Sequence, residues 1–172
     1  MKRKITLIVI ALMLFGLLVQ SITFAESTEY NDLVANLVAS WNPDITRDDL
    51  IATNGTPYSE SESYVQFWDK EQATTQTYFF SGGRLTYVTV TYGEYAVEQR
   101  SWMYSMYRLT CDKIKEIHGD GMGELIIYDG TDYTALDVAC GANAWSGDGF
   151  GVWLVYNQTN SGLRITTRIS SY

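Results

Sequence analysis

One histidine, His118, stands in a chain of 172 residues, together with two cysteines, Cys111 and Cys140. Zinc sites draw several His or Cys ligands at set spacings, and this supply does not furnish one. A Ser-His-Asp or Cys-His arrangement would have to use His118. That residue closes Lys115-Glu116-Ile117-His118, the last turn of an expected helix, where the helix dipole favours a His without any catalytic purpose. No nucleophile-elbow sequence occurs in the chain. Gly119-Asp120-Gly121-Met122-Gly123 follows a helix instead of leading from a strand into one, so it is no phosphate loop. Basic residues are also scarce, 12 Lys and Arg against 20 Asp and Glu. Such a balance repels phosphate backbones and anionic lipid surfaces, which excludes nucleic acid as a natural partner.

The one long apolar run is at the start. Lys2, Arg3 and Lys4 precede a stretch from Ile5 to Val19 that is apolar or glycine except for Thr6, and Thr23-Phe24-Ala25 places small residues at the −3 and −1 positions of a cut before Glu26. This is the pattern of a cleavable secretory signal over residues 1–25. A membrane-spanning helix needs about 20 apolar residues, more than this run supplies. With the leader removed, residues 26–172 form a single domain. Three of the 12 basic residues leave with the leader, so the remaining 9 face all 20 acids, a formal charge of −11. The expected location is secreted or extracytoplasmic, with no stable membrane anchor once the leader is cut. An exported chain with an even cysteine count permits a Cys111–Cys140 disulfide, contributing about 3–4 kcal/mol on the chain-entropy model; two buried free thiols are the other option.

Periodicity outlines the elements. Leu33, Leu37 and Trp41, flanked by Val34 and Val38, predict an amphipathic helix over 29–41 that Asn42-Pro43 stops. Thr46 with Asp49 three residues on resembles a capping box and opens a short helix ending near Asn54-Gly55. Strands are expected over 63–69, 75–80 and 84–92, the last two flanking the hairpin signal Ser81-Gly82-Gly83. A long helix is expected from Glu94 to His118, then strands over 124–128, 133–140, 151–156 and 163–169, with a Gly-rich turn from Gly141 to Gly149. Helices followed by strands, twice, predict an α+β fold with helices on one face of an antiparallel sheet. Trp68 and Trp145, and Gly83-Arg84-Leu85 and Gly162-Leu163-Arg164, suggest two tandem repeats over about 29–92 and 94–170.

Ile45-Thr46-Arg47-Asp48-Asp49-Leu50-Ile51, then Gly55-Thr56-Pro57, an aromatic strand and Gly83-Arg84-Leu85 resemble the helix-loop-helix and sheet unit of the β-lactamase inhibitor protein and small outer-membrane assembly lipoprotein type. That resemblance implies helices on one face of an antiparallel sheet, with two such units in the inhibitor branch. The chain has no lipid-attachment Cys, which departs from the lipoprotein branch, and no residue matches an inhibitory loop.

Asp120, Glu124, Asp129, Asp132 and Asp148 lie in or beside glycine-rich turns and match no EF-hand loop, so they read as turn residues. No metal and no cofactor are expected. The feature that stands out is aromatic content, with 13 Tyr, 5 Trp and 6 Phe. Alternation places aromatics on both faces of the strands, and Tyr and Trp dominate recognition surfaces. The candidate binding residues are Trp68, Tyr78, Tyr87 and Trp153. The leading expectation is a non-catalytic binding or inhibitory module of the cell envelope or exterior. The alternatives are a secreted hydrolase using carboxylates or His118, and a structural envelope protein. Acids clustered in a cleft around His118 would favour the enzyme; a broad aromatic sheet face would favour the binder. N-terminal sequencing of the exported protein should read from Glu26. A start at Met1 would instead make it a membrane-anchored protein.

Overall fold

The computed structural model describes residues 29–95, 99–122, 125–126, 138–146, 149–159 and 161–172. The expected signal, residues 1–25, lies outside them. The chain runs α1 (residues 29–39), α2 (Arg47–Asn54), β1 (Ser59–Glu60), β2 (Tyr64–Asp69), β3 (Thr74–Ser81), β4 (Arg84–Tyr95), α3 (Arg100–His118), β5 (Leu125–Ile126), β6 (Val138–Ser146), β7 (Phe150–Gln158) and β8 (Leu163–Ser171). The strands form one antiparallel eight-stranded sheet in the order β1-β2-β3-β4-β8-β7-β6-β5. The three helices pack against one face of it. Two meanders, β1 to β4 and β5 to β8, therefore meet at their last strands, and each follows helix in the chain.

Local signals explain several boundaries. Thr46 Oγ1 accepts from the Asp49 N–H while the Asp49 carboxylate accepts from the Thr46 N–H, a reciprocal capping box at α2. The Thr46 hydroxyl, which also donates to the Asp49 carboxylate at 2.6 Å, and the Thr46 N–H hold that carboxyl below its ordinary value. At the other end of the molecule, Gly119 ends α3 with φ 79° and donates its N–H to Lys115 O.

Most expected bounds differ by a few residues, and two expectations change more. The long helix begins at Arg100, not Glu94, because β4 runs on to Tyr95 and pairs there with Leu163 after an irregularity beyond Tyr92; Val97 lies outside the described residues. The expected Gly-rich turn at 141–149 is largely strand: Gly141 to Ser146 pair with β7. Gly141 is there for close approach, since a Cβ at that position would stand 3.0 Å from the Tyr107 ring of α3. The strands expected over 124–128 and 133–140 are described only at Leu125–Ile126 and from Val138 onward.

The core lies between the helices and the inner sheet face. Val65, Val88, Val90, Val152, Leu154, Leu163, Ile165 and Ile169 face Val34, Val38, Met103, Met106 and Ile114. Tyrosines fill the middle: Tyr30 packs on Tyr92 at 4.8 Å, and Tyr107 on Tyr156 at 6.1 Å. Two of their hydroxyls meet partners in the core. The Tyr30 hydroxyl lies 3.1 Å from Thr167 Oγ1, and Tyr156 donates to Arg100 O. Asn31 and Thr110 pair across α1 and α3. Cys111 is buried on the inner side of α3, while the side chain of Cys140 lies outside the described residues.

Burial pushes the Tyr78 hydroxyl up to about 12 and moves that of Tyr30 in the same direction. A raised folded-state value gives stability that is complete below the unfolded value near pH 10 and is lost as pH rises through the folded one. Two units correspond to about 2–3 kcal/mol. Urea unfolding should therefore show stability falling between about pH 10 and 12. Tyr78→Phe removes a hydrogen bond to Gln76 Oε1, costing about 1 kcal/mol at neutral pH. It should flatten the alkaline fall, and an unchanged slope would show that Tyr78 titrates normally.

Candidate binding face

The sheet face turned away from the helices is built by strict alternation. On β4, Val88, Val90 and Tyr92 go into the core and Tyr87, Thr89 and Thr91 point out. The same rule turns Tyr64, Gln66 and Trp68 out of β2, Thr75, Thr77 and Phe79 out of β3, Trp153 and Val155 out of β7, and Arg164, Thr166 and Arg168 out of β8.

Cross-strand pairing lines these side chains into a row. Tyr64 stands opposite Phe79 with ring centroids 6.3 Å apart. Phe79 stands opposite Tyr87 and stacks on it at 4.3 Å and 19°. The Arg168 guanidinium lies over the Tyr87 ring at 4.2 Å and reaches Trp153, its partner across β7 and β8, at 6.0 Å. Cation–π attraction of this kind is worth about 0.5–1 kcal/mol when exposed. The row crosses five strands, four spacings of about 4.8 Å, or about 19 Å.

Trp68 stands apart from the row on β2. It is 48 % exposed, and Tyr58, 66 % exposed, meets it edge-on at 5.2 Å. Tyr58 is held beside β2 by its N–H donating to Gln66 O. The indole separates two shallow recesses. One, about 200 Å3, is lined by Tyr58, Gln66, Trp68 and Thr75. The other, about 360 Å3, is lined by Trp68, Lys70, Ala73, Thr75, Thr91 and Gly93.

Of the candidate residues, Trp68, Tyr87 and Trp153 lie on this face. Tyr78 does not: it is 5 % exposed and packs edge-on against Phe67 in the core. The reason is a β-bulge. A regular hairpin across Gly82-Gly83 sets Tyr78 opposite Tyr87, but the register shifts at Phe79/Phe80, so Phe79 takes that position and Tyr78 pairs with Val88. Thr86 is the extra residue, and its hydroxyl donates to Phe79 O at 2.8 Å. Phe79, Tyr64, Tyr58 and Arg168 were missed. Alternation on β2 placed Tyr64 beside Trp68, which was a usable signal. Arg168 depends on the β4–β8 pairing, to which no local pattern points.

The electrostatics of the face depart from those of the chain. Among the described outward strand positions no Asp or Glu occurs, although the chain holds 20 acids. Glu60 turns to the helix side, where it pairs with Arg47 of α2. Arg164 and Arg168 bring positive charge to the face from β8.

Other candidates lie elsewhere. His118 ends α3 with its ring edge-on to Phe150 at 5.0 Å and its Nε2 buried. A polar recess of about 190 Å3 between α3 and β6 is lined by residues including Cys111, Asp112, Lys115, Asp120 and Trp145. Lys115 Nζ and Asp120 Oδ1 are 2.5 Å apart there, and each charge favours the other, raising the lysine and lowering the carboxyl. Trp145 is 3 % exposed, so it and Trp68, set 77 residues apart in the sequence, fall on opposite faces of the sheet. Among the described residues no three of His, Cys, Asp and Glu gather as a metal-binding group. No described helix is long and apolar enough to cross a membrane.

Compared with protein-family models, curated proteins and solved structures, the chain matches none.

Thermal melting separates surface from core on this face. Trp68→Ala and Trp153→Ala should cost well under the price of a core aromatic, each staying within about 1 kcal/mol of wild type. Tyr78→Ala should cost about 3–5 kcal/mol. If the two tryptophan variants melt as low as the tyrosine one, the outer face is a packing surface.

Proposed function

We propose that the protein is an exported, non-catalytic binding module of the cell envelope or exterior, and that the open sheet face is its recognition surface. The observation that carries this reading is the contiguous row of Tyr64, Phe79, Tyr87, Arg168 and Trp153 on a face without a described acid. Trp, Tyr and Arg are the residues that supply most of the energy at interfaces, because they are large, stiff and able to hydrogen-bond at one end. The stacking already holds these side chains in place, so little rotamer entropy is left to lose on binding. The resemblance to the β-lactamase inhibitor type adds support, since it implies helices on one face of an antiparallel sheet, with two such units in the inhibitor branch. A hydrolase would have to draw its pair of carboxylates from elsewhere, because glycoside cleavage needs two about 5–9.5 Å apart beside the substrate.

The test uses the mature protein as bait against envelope and medium fractions of the host, with Tyr87→Ala and Trp153→Ala as paired baits. A partner of the open face should be captured by wild type and lost at least about tenfold by each variant, the effect of a modest hot spot. Capture that ignores both substitutions would place recognition off this face.

A further inference from the structure

We infer that the Trp68 corner of the open face is a binding site for an uncharged saccharide chain. This rests on the binding-module reading and names a ligand class for one corner of that face. The corner has three properties that fit a sugar and do not fit a charged or purely apolar ligand. First, the half-exposed indole of Trp68 stands as a wall between two recesses, with Tyr58 edge-on to it at 5.2 Å. A pyranose ring has one face made of C–H groups, which packs on such a surface, and a rim of hydroxyls that must stay hydrogen-bonded. Second, the rim can be met here. Tyr58, Gln66 and Thr75 line the smaller recess, and each can both donate and accept. Gln66 is oriented by Nε2 donating to Thr77 Oγ1 at 3.0 Å, which leaves Oε1 as an acceptor. Third, the charge is right. Lys70 is the one charged residue among those lining the two recesses, in a chain with 20 acids and 12 Lys and Arg. Neutral groups that both donate and accept complement a polyol, whereas a carboxylate or phosphate ligand would need paired cations.

The shape sets the ligand's form. The recesses, about 200 and 360 Å3, share Trp68 and Thr75 as a common wall. Both are shallow and open, so the occupant passes across the indole instead of being enclosed, as a polymer segment does. No carboxylate lines either recess, so the site has no pair of acids with which to cleave what it holds.

The experiment is titration of the mature protein with three hexasaccharides, cellohexaose, chitohexaose and maltohexaose, read by intrinsic tryptophan fluorescence and by calorimetry. At least one should bind saturably. Trp68→Ala should weaken it at least about tenfold, and Leu109→Ala, an exposed position on α3, less than about twofold. Binding should be nearly unchanged between about 0.05 and 0.5 M NaCl, because no charge is paired. Absence of any response at about 10 mM sugar, or equal binding by Trp68→Ala, overturns the inference. A captured envelope protein that depends on Trp68 and is not displaced by the hexasaccharides also overturns it, since the occupant is then a protein. If the sugars fail while capture still depends on Tyr87 and Trp153, the saccharide assignment falls and the binding-module reading stands; if both fail, neither stands.

Discussion

The antiparallel pairing of β4 with β8 is the contact on which the rest of this fold depends. It joins two four-stranded meanders edge to edge, running from Tyr87↔Ser170 to Tyr95↔Leu163. Each meander alone would leave a central strand as an open edge, with its backbone N–H and C=O groups unpaired and ready to pair elsewhere. Joined, they give one sheet wide enough for three helices to cover one side. The tyrosine core straddles the seam. Tyr92 belongs to β4, Tyr156 to β7 beyond β8, and Tyr30 reaches from α1 to Thr167 of β8. The same seam builds the outer row, because Tyr87 and Arg168 come from the two sides of it.

The two faces of the sheet are chemically different for one reason. The helices withdraw apolar side chains from water on the inner face, and the described acids lie away from the outer strand positions. What remains outside is hydroxyl, amide, aromatic ring and arginine, with Lys70 at the Trp68 corner. A face of that composition, on a chain with a formal charge of −8, carries no acid at its described strand positions. Rigid stacking along the row adds pre-organisation.

Much of the architecture was legible. The capping box at Thr46 and Asp49, the hairpin at Ser81-Gly82-Gly83 and the Gly119 stop are local chemistry, set by residues within a few positions of one another. Period-two alternation sorted Val65 from Trp68 and Val88 from Tyr87 correctly, and helices before strands pointed to the α+β class. Errors arose where backbone pairing overrode composition. Gly141 to Ser146 reads as a turn because glycine and small residues crowd there, yet β7 supplies a complete partner strand. The start of the long helix was set too early because Tyr95 is held as strand by Leu163, far along the chain.

The candidate site shows the division most clearly. The sequence alone determined that aromatics would occupy both faces of the strands and that Trp68, Tyr87 and Trp153 would point away from the apolar positions beside them. Those are properties of one strand at a time, fixed by alternation every second residue. Only the tertiary structure decided that Phe79, not Tyr78, stacks on Tyr87, that Arg168 lies between Tyr87 and Trp153, and that Trp68 stands with Tyr58 at a separate corner. Each of these depends on register between strands. A single extra residue at Thr86 moves a whole side-chain set by one position, and residues as distant as 87 and 168 become neighbours through hydrogen bonds that no local pattern encodes.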